Sequence, residues 1–171
     1  MGNVLITGAN KGIGLELAKQ LKSRGETIHA TCRKSSEALD ALGVHIYTGI
    51  DIQDHGTHDQ LSQQLEGISL DLVIQNAGIL TPTRLGELDA AAIRAQFEVN
   101  ALGPLLLTEK LLGKISKGGK IALISSRMGS IADNTSGSSY GYRMSKAALN
   151  IAGVSLAQDV QDREIAVTIL H

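Results

Sequence analysis

The chain of 171 residues is 43% hydrophobic and 19% charged, which suits one globular domain with a core of ordinary size. A net charge of −1 and a pI near 6.5 argue against nucleic-acid or anionic-membrane partners. Cys32 is the only cysteine, so no internal disulfide exists, and with no leader-like or membrane-length apolar run the expected location is the cytoplasm.

The first element, Val4–Ile6, is a short apolar run that reads as a strand buried on both faces. Gly8, Gly12 and Gly14 follow in a G-x-x-x-G-x-G spacing, then a helix-like segment over 12–24. A strand, a glycine turn and a helix N-terminus make an anion-binding device: backbone N–H groups approach a pyrophosphate and the helix dipole favours its charge. Asn10, Lys11 and Ile13 lie within that turn. The same spacing also serves tight strand–helix packing alone, so the rest of the chain decides.

The second strand, Thr27–Cys32, ends at Arg33-Lys34. An acidic residue here would bind ribose hydroxyls of NAD, but no carboxylate is present. Arg33, Lys34 and Lys11 suit the 2′-phosphate of NADP, and a solvated strand end is the plainer reading. The third strand, Val44–Tyr47, leads to Asp51-Ile52, where an adenine amino group would be contacted or where Asp51 simply shapes a turn. The segment 54–66 has helical spacing and opens with His55 and His58. They resemble metal ligands, but no third and fourth ligand follow at a fitting distance, and a helix start explains the polar residues.

The fourth strand, Leu70–Ile74, runs into Gln75-Asn76-Ala77-Gly78, small residues that let a ribose pass close to the backbone or merely turn the chain. The helical pattern over 89–112 contains Asn100 and is expected to kink or split around Gly103-Pro104. The fifth strand, Ile121–Ile124, ends in Ser125-Ser126. A polar loop, Asn134 to Ser139, precedes a helix over 140–161. Gly137-Ser138-Ser139-Tyr140-Gly141 matches the serine-hydrolase G-x-S-x-G, but that turn needs a buried strand directly before it, and a polar loop stands there. The last strand is Ile165–Leu170. Short β-branched runs alternating with helical segments predict an α/β fold with a doubly wound parallel sheet and helices on both faces.

Tyr142 and Lys146 are spaced i and i+4 on one helix face, whereas Tyr140 looks elsewhere. A phenol ordinarily ionises near pH 10, too high for acid–base work at neutrality, and a neighbouring ammonium favours the phenolate. Tyr142 would then give a proton to a carbonyl oxygen held by a serine hydroxyl. A plain surface Tyr–Lys pair has the same spacing.

Taken in order, Thr7-Gly8-x-x-x-Gly12-Ile13-Gly14, Asn76-Ala77-Gly78, Asn100, Ser126 and Tyr142-x-x-x-Lys146 resemble the short-chain dehydrogenases/reductases. The run from Ile124 to Asn150 is most similar to their C-factor/carbonyl-reductase-like branch. The resemblance covers all 171 residues as one dinucleotide-binding domain. It implies a Rossmann fold and an NADP-dependent oxidoreductase that interconverts a carbonyl and an alcohol, NAD being the lesser cofactor. In the implied site Tyr142 is the acid/base and Lys146 supports it and binds the nicotinamide ribose. Ser126, the second of its pair, orients the substrate carbonyl, and Asn100 braces a relay water. A homodimer or homotetramer through helices 89–112 and 140–161 is also implied. Gln75 departs from the family's usual Asn, and the Pro-Gly segment, substrate-covering region and last strand expected after Leu170 are not in the sequence, which reads as C-terminally truncated. A signalling or scaffold protein that binds NADP without required catalysis is the alternative.

Overall fold

The computed structural model describes residues 2–171. Six strands form one parallel sheet in the order β3-β2-β1-β4-β5-β6. They are β1 (Asn3–Thr7), β2 (Thr27–Thr31), β3 (His45–Tyr47), β4 (Leu70–Gln75), β5 (Ile115–Ile124) and β6 (Ala166–Leu170). The helices are α1 (Gly12–Ser23), α2 (Glu37–Asp40), α3 (Gly56–Gln64), α4 (Ala90–Phe97), α5 (Gly103–Leu111) and α6 (Tyr140–Asp159). The doubly wound sheet expected from the alternating pattern is therefore the fold.

Each strand of the sheet's centre contributes to both faces because its side chains alternate. In β1, Val4 and Ile6 join Ala18 of α1 and Leu39 of α2 in one cluster, while Leu5 faces Leu61 of α3, Leu107 of α5 and Leu149 of α6 in the other. Apolar residues at both alternating positions are thus explained by helices on both sides. The order reverses between β1 and β4, so the crevice beyond their C-terminal ends is where this architecture accepts a ligand.

Three boundaries differ from expectation. β5 begins at Ile115 rather than near Ile121, because its outer half, with Gly118 and Gly119, pairs with Leu70 across an irregular register. α2 is a single turn too short to show a period, capped by Ser36, whose hydroxyl accepts from the Leu39 N–H at 3.2 Å. The 89–112 helix does split, through a π-helical turn over Glu98–Leu102 in which the Gly103 N–H reaches the Glu98 carbonyl. Pro104 has no N–H to give the Asn100 carbonyl, which explains why the regular ladder fails there. Gly103 is required by packing, since a Cβ would run into the Ile52 carbonyl and side chain.

β6 is the outer strand on its side, with Ala166, Thr168 and Leu170 exposed. Among the described residues, no helix is long and apolar enough to cross a membrane.

On β2, His29 is 2% exposed, stacks on the His45 ring at 5.0 Å, and meets the Tyr47 hydroxyl at 3.0 Å and Asn3 Oδ1 at 3.3 Å. Burial, helped by the nearby His45, pulls its pKa down to about 4. The unfolded chain titrates near 6.5, so below that pH it takes up a proton that the folded protein refuses. Stability is therefore expected to be level above about pH 6.5 and to fall from there toward pH 4, at up to about 1.4 kcal/mol per pH unit from this one group. Urea midpoints at pH 7.5 and pH 5.0 measure the drop. The variant His29→Gln should show a smaller drop, leaving the part due to His58, which burial also lowers.

Candidate active site

The two strand ends at the switch point are joined by Thr7. Its hydroxyl, wholly buried, accepts the N–H groups of Asn76 and Ala77, both at 3.0 Å. Asn76 Nδ2 returns bonds to the carbonyls of Thr7 at 2.9 Å and Gly8 at 3.2 Å. The glycine turn after β1 and the Asn76–Gly78 turn after β4 are thus one rigid unit. Gly8 takes φ of +64° with Ala77 so close that a Cβ would lie 3.0 Å from the Ala77 Cα. Gly14 is buried beneath the turn, where a Cβ would meet the Gly8 carbonyl and Asn76 Nδ2 at 2.5 Å.

A cleft of about 450 Å³ opens above this unit. Gly8, Asn10, Lys11, Gly12, Ile13, Arg33, Asp51, Ile52, Asn76, Ala77 and Gly78 all line it, as the sequence reading groups them. Gly14 and Lys34 do not line it. Gly14 serves helix packing, and Lys34 offers its carbonyl to Asn10 Nδ2 at 3.0 Å. Tyr142 and Lys146 also stand outside the lining, beyond Gly78. Thr31, Cys32, Ile50, Gln53, Ile79 and Val99 join it without having been singled out. No local motif marks them, because their place in the cleft follows from sheet order.

The cations are held toward the cleft's outer end. Arg33 Nη1 lies 3.8 Å from Asp51 Oδ2, an exposed pair worth little by itself. Asp51 Oδ1 accepts the Gln53 N–H at 3.1 Å, so it does shape the turn. Below, His58 is 2% exposed and meets the Ile52 carbonyl at 3.2 Å through Nε2, while His55 faces Glu98 at 3.7 Å. Among the described residues, no group of three or more His, Cys, Asp or Glu side chains is arranged to hold a metal ion.

Beyond Gly78 and outside that lining, α6 brings Tyr142 and Lys146 to the C-terminal edge of β5. Lys146 is 4% exposed, donates to the Ile124 carbonyl at 2.7 Å, and lies 5.7 Å from the centre of the Tyr142 ring. Burial alone lowers its pKa to about 8. A Cβ on Gly78 would sit 3.7 Å from Lys146 Nζ and 3.2 Å from Asn100 Oδ1, so these residues meet around that glycine.

The paired serines separate. Ser125 is 8% exposed and donates to Asn150 Oδ1 at 2.5 Å, a bond within the fold. Ser126 Oγ accepts the Met128 N–H at 3.1 Å, which leaves its own hydrogen to donate. Asn100 is fully buried with its amide engaged: it joins the Ile79 N–H and carbonyl, both at 2.8 Å, and Ser145 Oγ at 3.0 Å. Its side chain is therefore a clamp on the 79–88 strap.

Gln96, four residues earlier, is also fully buried and clamps the same strap by accepting the Thr81 N–H at 3.0 Å. Thr83 Oγ1 accepts the Gly141 N–H at 3.3 Å, capping α6 from outside its own chain segment. Neither residue carries a sequence signal beyond the i, i+4 spacing of Gln96 and Asn100. Gln75 is explained: its Nε2 reaches Thr108 Oγ1 at 3.0 Å and the Pro104 carbonyl at 3.3 Å, tying β4 to α5. The hydrolase motif fails, since no strand runs directly into Gly137; β5 ends at Ile124.

A profile of the short chain dehydrogenase family matches residues 2–171. The 1-hydroxy-2-glutathionyl-2-methyl-3-butene dehydrogenase of Rhodococcus sp. strain AD45 is 38% identical over 173 residues, 100% of this chain and 76% of that protein. The C-signal of Myxococcus xanthus is 42% identical over 105 residues, 60% of this chain and 63% of that protein. A carbonyl reductase from Pseudomonas aeruginosa PAO1, solved in complex with NADP, superposes with a TM-score of 0.92 at 35% identity, over 100% of this chain and 82% of that one. With its six-stranded doubly wound sheet, its glycine turn welded to Asn76-Ala77-Gly78, and Tyr142 and Lys146 at the end of β5, the chain belongs to the short-chain dehydrogenase/reductase family of oxidoreductases.

Proposed function

We propose that the protein is an NADP-preferring oxidoreductase that interconverts a carbonyl and an alcohol, with Tyr142 as the general acid/base. The observation that carries this reading is the buried Lys146 ammonium beside the Tyr142 ring, just beyond Gly78 of a cleft that Arg33 and Lys11 also line. The cleft fits a dinucleotide. Gly12 takes φ of +57° with nothing within 4 Å of an added Cβ, so backbone is exposed to a space that a pyrophosphate would fill beside the start of α1. The outer end offers no carboxylate directly after β2 and two cations instead, which favours a 2′-phosphate over a free ribose hydroxyl. That the Pseudomonas aeruginosa carbonyl reductase holds NADP supports the same cofactor here.

The nicotinamide, when bound, supplies or accepts a hydride. Ser126 donates its free hydrogen to the substrate oxygen and fixes its direction. Tyr142 gives that oxygen a proton as the carbonyl is reduced, and takes it back in the reverse reaction. Lys146, spending one N–H on Ile124, keeps two donors for a ribose and holds positive charge beside the phenol. Asn100 keeps the strap and Ser145 in place, so Ile79 and Gly78 stay against the site.

Calorimetric titration should give clear NADPH binding and at least roughly tenfold weaker NADH binding, about 1.4 kcal/mol apart. Absence of NADPH binding would overturn the reading. In the reduction of a diketone, Tyr142→Phe should lose a factor on the order of 10²–10⁴ in kcat while binding NADPH as the parent does. Turnover that survives this change would remove Tyr142 as the acid/base, whereas a biological effect that survives the loss of turnover would point to NADP binding without required catalysis. With Lys146 at about 8, activity that needs its ammonium should decline as pH rises past 8.

A homo-oligomer is part of the same proposal. Leu102, Leu105, Met144, Ile151 and Val154 expose 37–65% of their surface on α5, α6 and the turn before them, an apolar face that a second copy would cover. Light scattering should report a dimer or tetramer, and Val154→Glu, which sets a charge in that face, should reduce the mass to that of a smaller species without changing NADPH affinity.

A further inference from the structure

The segment from Ser126 to Tyr142 ends in a costly piece of backbone. Gly137, Ser138 and Ser139 follow one another with φ of +63°, +54° and +50°. Glycine enters that region freely, but a serine Cβ crowds the carbonyl there, and left-handed residues ordinarily occur singly. Such strain persists only where the surroundings over-determine it, and it gathers at sites of function.

Here the surroundings are chiefly Arg143, beside Asn134 Oδ1, which accepts the Gly137 N–H at 3.1 Å. Arg143 Nε donates to the carbonyls of Gly137 and Ser138, each at 3.2 Å, and Nη2 donates to Ser136 Oγ at 2.9 Å. From the other side, the Ser139 N–H donates to the Thr83 carbonyl at 2.7 Å and locks the turn onto the 79–88 strap. Arg143 also defies the local rule for its helix. It lies in the first turn of α6, where the dipole favours acids, and that turn has no acidic residue. A fork filled by three oxygens at a place where a cation is otherwise unfavourable indicates a positional role.

We infer that Arg143 is a positioning residue that clamps the 136–139 turn against the 79–88 strap, at the start of the helix that carries Tyr142, and that the turn so held is the surface a bulky substrate meets beside Tyr142. It sets how well a bulky carbonyl compound fits, and takes no part in proton transfer. The inference rests on the reductase reading above.

The test uses Arg143→Met, which keeps the stem and deletes the donors, with benzil as the bulky probe and butane-2,3-dione as the small one. KM for benzil should rise about tenfold, while KM for butane-2,3-dione, both kcat values and NADPH affinity stay within about twofold. Adding Ser138→Gly and Ser139→Gly to the same variant removes the strain the clamp resists and should recover most of the lost KM. Arg143→Lys, with no fork, should behave as Arg143→Met. Parallel loss of kcat and NADPH affinity, without rescue by the glycines, would mean a general role in folding α6 and would overturn the inference. Hydrogen exchange provides an arm independent of turnover: the Ser139 amide should exchange about tenfold faster in Arg143→Met, with Leu149 in mid-helix unchanged. If the parent reduces neither diketone, the reductase reading is what suffers, and unchanged Ser139 exchange is then the result that sinks the clamp.

Discussion

The buried hydroxyl of Thr7 holds the rest of the site in register. At a switch point, adjacent parallel strands send their chains to opposite sides of the sheet, so the ladder stops and the next N–H groups have no strand to pair with. Thr7 Oγ1 supplies the missing acceptor to two of them, at Asn76 and Ala77. The Asn76 side chain answers with bonds to the Thr7 and Gly8 carbonyls. Leaving either amide buried without a partner would cost about 1–3 kcal/mol, so the weld is strongly favoured over any looser arrangement. It is also what brings Gly8 against Ala77 and lets the floor of the cleft be made of backbone.

From that weld, buried polar groups run outward in a connected series. Gln75 reaches α5 through Thr108, Asn100 ties the strap at Ile79 to Ser145, and Lys146, the next residue of α6, bonds the end of β5. Among the described residues no buried side-chain nitrogen or oxygen lacks a partner. A polar series of this kind stabilises only when complete, because a half-satisfied network is worse than an apolar core. The π-helical turn belongs to the same logic. Pro104 and Gly103 prevent an ordinary helix where α5 must pass Ile52, and the wider turn keeps Asn100 pointed at the strap.

Much of this was legible in the sequence because the determinants are local. Apolar runs of strand length, the glycine spacing, and Tyr142 with Lys146 at i, i+4 each state their geometry within a few residues. The parts that escaped are those set by partners far along the chain. Thr83 caps α6 from 58 residues away, and Gln96 meets Thr81 across a loop. Gly14 looked like a cofactor contact and proves to be a packing glycine, since spacing alone does not say which glycine faces ligand and which faces helix. Arg143, between Tyr142 and Lys146, carries no signal of its own in the sequence, and only the left-handed turn it bonds gives it meaning. α2 was invisible because four residues cannot show a helical period.

Lys146 exposes the trade that such a site makes. Removing a cation from water costs several kcal/mol unless a counter-charge receives it. Lys146 is 4% exposed, and burial alone accounts for the lowering of its pKa, with one carbonyl as its partner. The free protein therefore carries a cation held at a cost, next to a phenol and a glycine turn. Any change that places negative charge or lone pairs there, whether a phenolate at Tyr142 or the hydroxyls of a ribose, relieves part of that cost. On the proposed function, the fold gives up stability at one residue, and interactions formed with ligand or developed during proton transfer would recover it. A methionine of similar size would carry no charge to bury, and on the proposed function that difference is the physical sense in which Lys146 is placed for chemistry.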